Sequence, residues 1–304
     1  MTAPARVPET ASVTPLMRRV ARRAAYPTVV AVAVLLLWAL LDRGAGLAWA
    51  PYVAVAAGGA AILLLELWIP YRRSWAPTAT DLADDGLYLV FVQLLVPLVL
   101  VWALTLPGQR LLAGAGLTLE VWPVAWPLWA QVLLKLAAGD LLRYWLHRWC
   151  HQVPWLWRLH APHHQPAKLY SANVFRFHPA DKALQFLADT LPFILLGVGP
   201  EVLAFYFVVY AVSGLFQHSN IDLRLGVLNY LVSGPEVHRW HHAREPEISN
   251  HNYAHTLVVW DLLFGTYYRP RDRQVGDLGL IGTDYPVRFG TQLLAPFRAP
   301  RRED

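Results

Sequence analysis

Three long apolar runs limit what this chain can fold into. Residues 25–41 close at Asp42 and Arg43, and residues 47–69 contain Glu66 and close at Pro70, with Arg72 and Arg73 just beyond. Residues 86–106 lie between Asp84 and Asp85 on one side and Pro107 and Gly108 on the other. Each is near the roughly 20 residues that a helix needs to cross a bilayer. In hydrocarbon only a helix or a closed barrel satisfies its own backbone. The composition agrees: 56% of the 304 residues are hydrophobic, 15% are charged and the mean hydropathy is +0.32, whereas about a quarter of a soluble domain is charged. A fourth run, 121–138, is interrupted by Pro123 and Pro127 and carries Lys135. It continues through Gly139 and Asp140 without a further proline, as a helix leaving the membrane would. Two shorter runs, 184–196 (with Asp189 inside) and 202–216, flank Gly197 to Glu201 and predict a helical hairpin, spanning or re-entrant. From about Ser219 the chain is polar, aromatic and loop-rich. The expected fold is all-α and polytopic: about four transmembrane helices, a helical hairpin and a histidine-rich cap.

Charge gives the expected topology. The segment before the first run holds Arg6, Arg18, Arg19, Arg22 and Arg23; the following loops hold Arg43, then Arg72 and Arg73, then Arg110. That high, low, high, low alternation places the N-terminus and the later polar regions on the cytoplasmic side, in a cell inner membrane or an endoplasmic-reticulum-like one. The net charge of +5 is spread over tails and loops, so a clustered basic footprint for nucleic acid is missing. The single cysteine, Cys150, excludes an intramolecular disulfide, an all-cysteine zinc site and a cysteine-ligated iron–sulfur cluster built from one chain. No cleavage pattern follows the first run, which reads as a retained anchor. The short Gly/Ala echoes at 44–47 and 113–117 lack the strand–loop–helix context of a dinucleotide loop. The expected division is a basic tail (1–24), an N-terminal helix pair (25–80), a catalytic membrane domain (81–270) and a C-terminal tail (271–304).

All twelve histidines lie between His147 and His255. A lone histidine is more often a hydrogen-bonded core or surface residue than a ligand, but eight of these fall into three groups. His147 and His151 are four apart, so on a helix they share a face. His160, His163 and His164, and again His238, His241 and His242, stand at i, i+3 and i+4. Such spacings converge donors on a metal, and imidazole suits zinc, copper, iron or nickel. A tetrahedral ion uses four ligands at most, so eight histidines predict two metals. Pro162 is poorly tolerated inside a helix, which predicts a helix beginning near it with His160 just ahead. Gly234 reads as an N-cap, with Pro235 and Glu236 in the first turn. A ligating histidine usually hands its other N–H to an acceptor. Asp140, seven residues before His147 and on the same helical face, is a candidate, as are Asp181, Asn173, Asn220 and Asn252; Asp140 reads equally well as a partner of Arg143. Asp261 is expected to pair with an arginine, and Trp145, Trp149, Trp155 and Trp157 to form an interfacial belt. His251 and His255 are read as structural.

The residues around these groups resemble the fatty acid hydroxylase / sterol desaturase superfamily of membrane non-haem di-iron enzymes. The resemblance rests on D-x-x-x-Y-W-x-H-R-x-x-H (Asp140 to His151) and on H-x-x-H-H at His160 to His164 and again at His238 to His242. It extends through Asn173, Arg176, His178 and Pro179, through Phe216 to Asn220, and through Asn252 to Pro270. The resemblance implies two iron ions that use O2 to hydroxylate or desaturate a lipid. It implies His147, His151, His160, His163, His164, His238, His241 and His242 as ligands, with His218 as an added ligand and His178 as a weaker candidate near the site. Turnover would draw two electrons from outside the chain, from a ferredoxin or a cytochrome b5-like donor with its reductase. Box spacing does not separate hydroxylation from desaturation; hydroxylation is the preferred reading. The apolar fourth run and the hairpin would lead a lipid chain to the metals. A histidine-rich membrane metal-binding protein or transporter would instead place its ligands within the spans. A di-haem carrier would use axial histidines on facing spans, and a zinc hydrolase would need H-E-x-x-H where this chain has Arg239.

Overall fold

A computed structural model describes residues 15–116, 121–282 and 284–298, so Arg6 and the outer parts of both tails lie outside the described residues. The described residues form helices and no β-strand. Helix α1 spans Pro15–Asp42, and the arginines assigned to the tail at 18–23 are its first turns. Helix α2 spans Ala50–Trp68, with Pro51 in its first turn, where a missing N–H costs nothing. Helix α3 runs Ala79–Gly114. Its start is a capping box: Thr78 Oγ1 accepts from the Asp81 amide at 3.2 Å and Asp81 Oδ2 accepts from the Thr78 amide at 2.8 Å. The expected stop at Pro107 and Gly108 does not occur. The helix widens into π-type turns at Leu89–Leu94 and Val101–Thr105, each just ahead of a proline (Pro97, Pro107) that cannot donate to the preceding turn.

After a turn at 121–127, α4 runs Leu128–Gln152. Gln131 ties that turn down, accepting from Trp122 Nε1 at 2.8 Å and donating to the Trp126 carbonyl at 2.7 Å. Helix α5 (Pro154–His164) follows, then α6 (Pro179–Asp189), α7 (Leu191–Leu195), α8 (Pro200–His218) and α9 (Pro235–His241). Among the described residues four helices are long and apolar enough to cross a membrane, but they are α1, α2, α3 and α8. The run at 121–138 is therefore not the fourth span. It begins helix only at Leu128, and although Trp129, Leu133 and Leu142 are exposed, the buried Gln131, Lys135, Asp140 and Arg143 make α4 more polar than the four spans. Helix α8, expected as one arm of the hairpin, takes the fourth place.

The bundle brings three termini to one end. Arg22 pairs with Asp222 at 2.7 Å, the Asp222 amide donates to the Ile69 carbonyl and the Tyr71 amide donates to the Asn220 carbonyl. The start of α1, the end of α2 and the end of α8 thus meet beside His218. Ala33, Leu37, Ala54, Ile62, Val208, Val212 and Phe216 fill the space between these helices. Gly58 permits the approach: a Cβ there would sit 2.9 Å from Val212 Cγ2. Glu66 braces the same end, accepting from Ser171 N, Ser171 Oγ and Asn220 N.

Candidate metal centre

The eight box histidines and His218 converge on this end of the bundle, but not box by box. His147, His151, His160, His164 and His241 bring one ring nitrogen each within 4.8 Å of one another, and His163, His218, His238 and His242 do the same. The second and third boxes are therefore split between two clusters. The reason is helical geometry. His160 and His164 stand one above the other on α5 and face α4, whereas His163 points a turn's fraction round toward α8 and α9. The clusters abut: the His164 and His242 rings stack at 4.3 Å.

The helix carrying the second box starts at Pro154, not at Pro162, so His160 lies well inside it. Pro162 falls in the last turn, where a lost donor is less costly than in mid-helix, and the helix ends two residues later. The third box starts as expected, at Gly234 with Pro235 first.

The rings are buried, His151 being half-buried, and five are held in defined tautomers. His147 Nδ1 donates to the Tyr253 carbonyl at 2.7 Å, and His241 Nδ1 to the His251 carbonyl at 2.8 Å. His160 Nδ1 meets Asp181 Oδ2 at 2.7 Å, His218 Nδ1 meets Asn173 Oδ1 at 2.8 Å and His151 Nδ1 meets Asn250 Oδ1 at 3.2 Å. Each leaves Nε2 as a lone pair aimed inward. His147 Nε2 and His160 Nε2 approach to 3.1 Å, His238 and His242 Nε2 to 3.1 Å, and His163 and His218 Nε2 to 3.3 Å. Six further buried nitrogens, on His151, His163, His164, His238, His241 and His242, have no hydrogen-bond partner among the described residues.

Protonation does not relieve this crowding. Burial, reinforced by neighbouring imidazoles, holds His147, His151, His163, His164, His238 and His242 well below the ordinary histidine value. Burial likewise brings His241 down to about 3. Buried ring nitrogens facing one another, with the outer Nδ1 of His147, His151, His160, His218 and His241 already committed, fit cations bound between them.

The sequence model of the fatty acid hydroxylase family matches residues 132–266, which hold every histidine of both clusters. The ornithine lipid hydroxylase OlsE of Rhizobium tropici is 32% identical over 248 residues, covering 81% of this chain and 75% of that protein. This chain belongs to the fatty acid hydroxylase family. Alkylglycerol monooxygenase of Danio rerio is 29% identical over 154 residues, 51% of this chain but 33% of that longer protein. Delta(7)-sterol 5(6)-desaturase of Leptosphaeria maculans is 29% identical over 161 residues, 51% of this chain and 42% of that protein. No solved structure matches. As a fatty acid hydroxylase family member with four membrane-length helices, the chain is an integral membrane oxidoreductase of the lipid hydroxylase and desaturase class.

The supporting residues of this family member differ in part from those its sequence suggested. Asp181 and Asn173 contact rings as expected. Asp140 does not: its Oδ2 accepts from the Thr256 and Leu257 amides, at 2.9 and 2.5 Å, and it pairs with neither His147 nor Arg143. His178 caps α6 by accepting from the Ala180 amide and donates to the Leu293 carbonyl, outside both clusters. Asn220 holds Arg72. Asp261 meets no arginine; it accepts from the Tyr253 and Ala254 amides and from Thr266 Oγ1.

Asn252 adopts a left-handed φ of 58°, donates to the Val237 and Tyr268 carbonyls and accepts from the Tyr268 amide. That geometry turns the His251 and Tyr253 carbonyls on either side of it toward His241 and His147. Sequence reading missed these carbonyls because a backbone acceptor carries no residue signature. It also missed Phe177, which stacks on His163 at 4.1 Å, although both of its neighbours lie in a recognised motif. Of the four tryptophans, Trp149 and Trp155 are exposed. Trp157 packs on His151 at 5.2 Å and His164 at 5.4 Å, and so closes the site. His251 and His255 lie outside both clusters, on Tyr268 and Tyr210.

Proposed function

We propose that this chain is a di-iron, O2-dependent hydroxylase of a membrane lipid. The observation that carries this is the pair of all-nitrogen clusters, in each of which every histidine brings one ring nitrogen within 4.8 Å of the others. His147, His151, His160, His164 and His241 would hold one iron, and His163, His218, His238 and His242 the other. Bound iron supplies O2 activation, a chemistry suited to imidazole donors. The chain's own residues do the rest. Asp181, Asn173 and the carbonyls of Tyr253 and His251 keep each Nδ1 protonated and each Nε2 free to ligate. Phe177 and Trp157 cover the rings and exclude water.

The named relatives act on ornithine lipid, alkylglycerol and sterol, which share amphiphilic character, and a lipid is the substrate class proposed here. Hydroxylation is preferred to desaturation because the relative that spans 81% of this chain is a hydroxylase. Electrons would come from a separate ferredoxin or cytochrome b5-like donor with its reductase, since Cys150 alone cannot ligate an iron–sulfur cluster. The N-terminus and both clusters are proposed to face the cytoplasm, because Arg18, Arg19, Arg22, Arg23, Arg72 and Arg73 gather at the end of the bundle that holds His218. The membrane would be a cell inner membrane or an endoplasmic-reticulum-like one.

The test is iron content of the detergent-purified protein together with isotopic oxygen incorporation. The expected result is two irons per chain, one for each cluster, no haem band, and a lipid that gains one oxygen atom derived from O2 when reductant and donor are supplied. A lipid that loses two hydrogens instead would assign desaturation. Haem, or an iron-loaded protein that leaves every lipid unchanged, would overturn the reading.

A further inference from the structure

Among the described residues three arginines are buried, and two of them are partnered. Arg176 meets Asp85 at 2.5 Å, and Arg239 donates to the Ile221 carbonyl and lies over Tyr71. Arg143 is 5% exposed, yet its Nη1 has no hydrogen-bond partner and no ion pair holds its guanidinium among the described residues. Nearby carboxylates hold other groups: Asp140 Oδ2 two backbone amides, its Oδ1 being unpartnered, Asp181 His160 and Gln185, and Asp189 Thr190. Tyr206 on α8 is a second buried donor without a partner. It faces the same side of α4, where a Cβ at Gly139, one turn before Arg143, would lie 3.4 Å from its hydroxyl. A buried guanidinium with unmade hydrogen bonds is costly unless something else completes it.

Its position says what that is. Arg143 stands one helical turn before His147, and its Cζ is 5.7 Å from the Phe177 ring, whose other contact is the His163 ring at 4.1 Å. One aromatic ring therefore separates the free guanidinium from the metal clusters. We propose that Arg143, assisted by Tyr206, binds a carboxylate on the lipid substrate, so that the carbon oxidised lies near the charged end of the lipid. The planar guanidinium fork matches a carboxylate bidentately. The negative fields of Asp181 and Asp189 at Arg143 disfavour a dianion such as a phosphomonoester. The inference rests on the lipid-oxygenase reading for the word substrate, but its test reads binding alone.

The full chain in nonionic detergent is titrated with hexadecanoate, hexadecanol and hexadecyl phosphate, and affinity is followed by tryptophan fluorescence. The wild type should bind the carboxylate about tenfold or more tightly than the alcohol, the effect of one charge-assisted contact. Arg143→Gln should bind the two alike, and Arg143→Lys, which keeps the charge but not the fork, should retain part of the preference. Melting temperature and metal content show whether each variant is folded. If Arg143→Gln does not fold, the wild-type ratio and Arg143→Lys carry the test. No preference in the wild type, an undiminished preference in Arg143→Gln, or tighter binding of the phosphate would overturn the proposal. Failure of the oxygenase reading would show separately, as carboxylate selectivity without lipid oxidation.

Discussion

Replacing Asp181 should weaken one metal cluster and spare the other. Its Oδ2 lies 2.7 Å from His160 Nδ1, and both side chains are 2% exposed. Burial pushes the Asp181 carboxyl up, but the neighbouring His160, with Arg143 and Gln185, holds it below its ordinary value, so it meets the ring N–H as a carboxylate. A buried hydrogen bond to a charged group is worth about 1.5–3 kcal/mol, or about 10- to 150-fold in affinity, and loss of such an outer partner typically costs a metal site about 10- to 100-fold. Asp181→Ala should therefore lower affinity by that factor at the five-histidine cluster. Asp181→Asn, whose amide oxygen still accepts, should lose only about half of the free energy. In a chelator-competition titration of the purified protein the tighter phase should move toward the weaker one, with the phase of the four-histidine cluster unmoved. An unchanged titration, or equal weakening of both clusters, would refute the argument. Asp140→Ala is the control: it strands the Thr256 and Leu257 amides, so it should lower the melting temperature far more than the metal affinity.

Three further outcomes can be checked on the same preparation. His218→Ala removes one of the four donors of its cluster, and metal analysis should find about half of the wild-type complement after dialysis, with the five-histidine cluster still loaded. Asn252→Ala removes three hydrogen bonds and places a methyl-bearing residue at φ 58°; it should destabilise the protein by about 2–4 kcal/mol, whereas Asn252→Gly should lose less because glycine accepts that φ. Asp261 is raised by burial from 3.8 to about 6 in the fold. The fold therefore favours its protonated form, and that contribution is complete below pH 3.8 and is lost as pH rises through 6. The melting temperature of the wild type relative to Asp261→Asn should accordingly fall between pH 4 and pH 7, by an amount equivalent to about 3 kcal/mol; a pH-independent difference would contradict it.

What the sequence reveals follows from what each signal encodes. The box histidines are legible because i, i+3 and i+4 are fixed by a single helix. Their partition is not, because His163 and His164 are adjacent in sequence yet serve different clusters, and only the crossing of α5 with α4, α8 and α9 decides which. The same limit explains the fourth span. Hydropathy finds apolar content in 121–138, but helix begins only at Leu128 and runs on through Lys135, Asp140 and Arg143, and that these are buried while Trp129, Leu133 and Leu142 are exposed is decided by packing. Asp140 shows the weakness of periodicity as a guide to partners. Seven residues before His147 puts it on the right face, but its acceptors' claimants come from a loop more than a hundred residues away.

The outer contacts divide by chemistry. Those made by side chains, Asp181 to His160 and Asn173 to His218, leave a residue type that can be guessed. Those made by carbonyls, Tyr253 to His147 and His251 to His241, leave nothing in the sequence except the asparagine that bends the chain between them. His147 of the first box and His241 of the third thus depend on one left-handed residue for their tautomers, and His160 of the second depends on a carboxylate. This asymmetry is physical: a carbonyl fixes orientation without adding charge, whereas Asp181 places a negative charge behind one ligand of the five-histidine cluster and behind none of the other four. The two sites are therefore electrostatically unequal. A metal held at the Asp181 side should be bound more tightly, and the four-histidine cluster should empty first under a chelator, an order that His218→Ala and Asp181→Ala should shift in opposite directions.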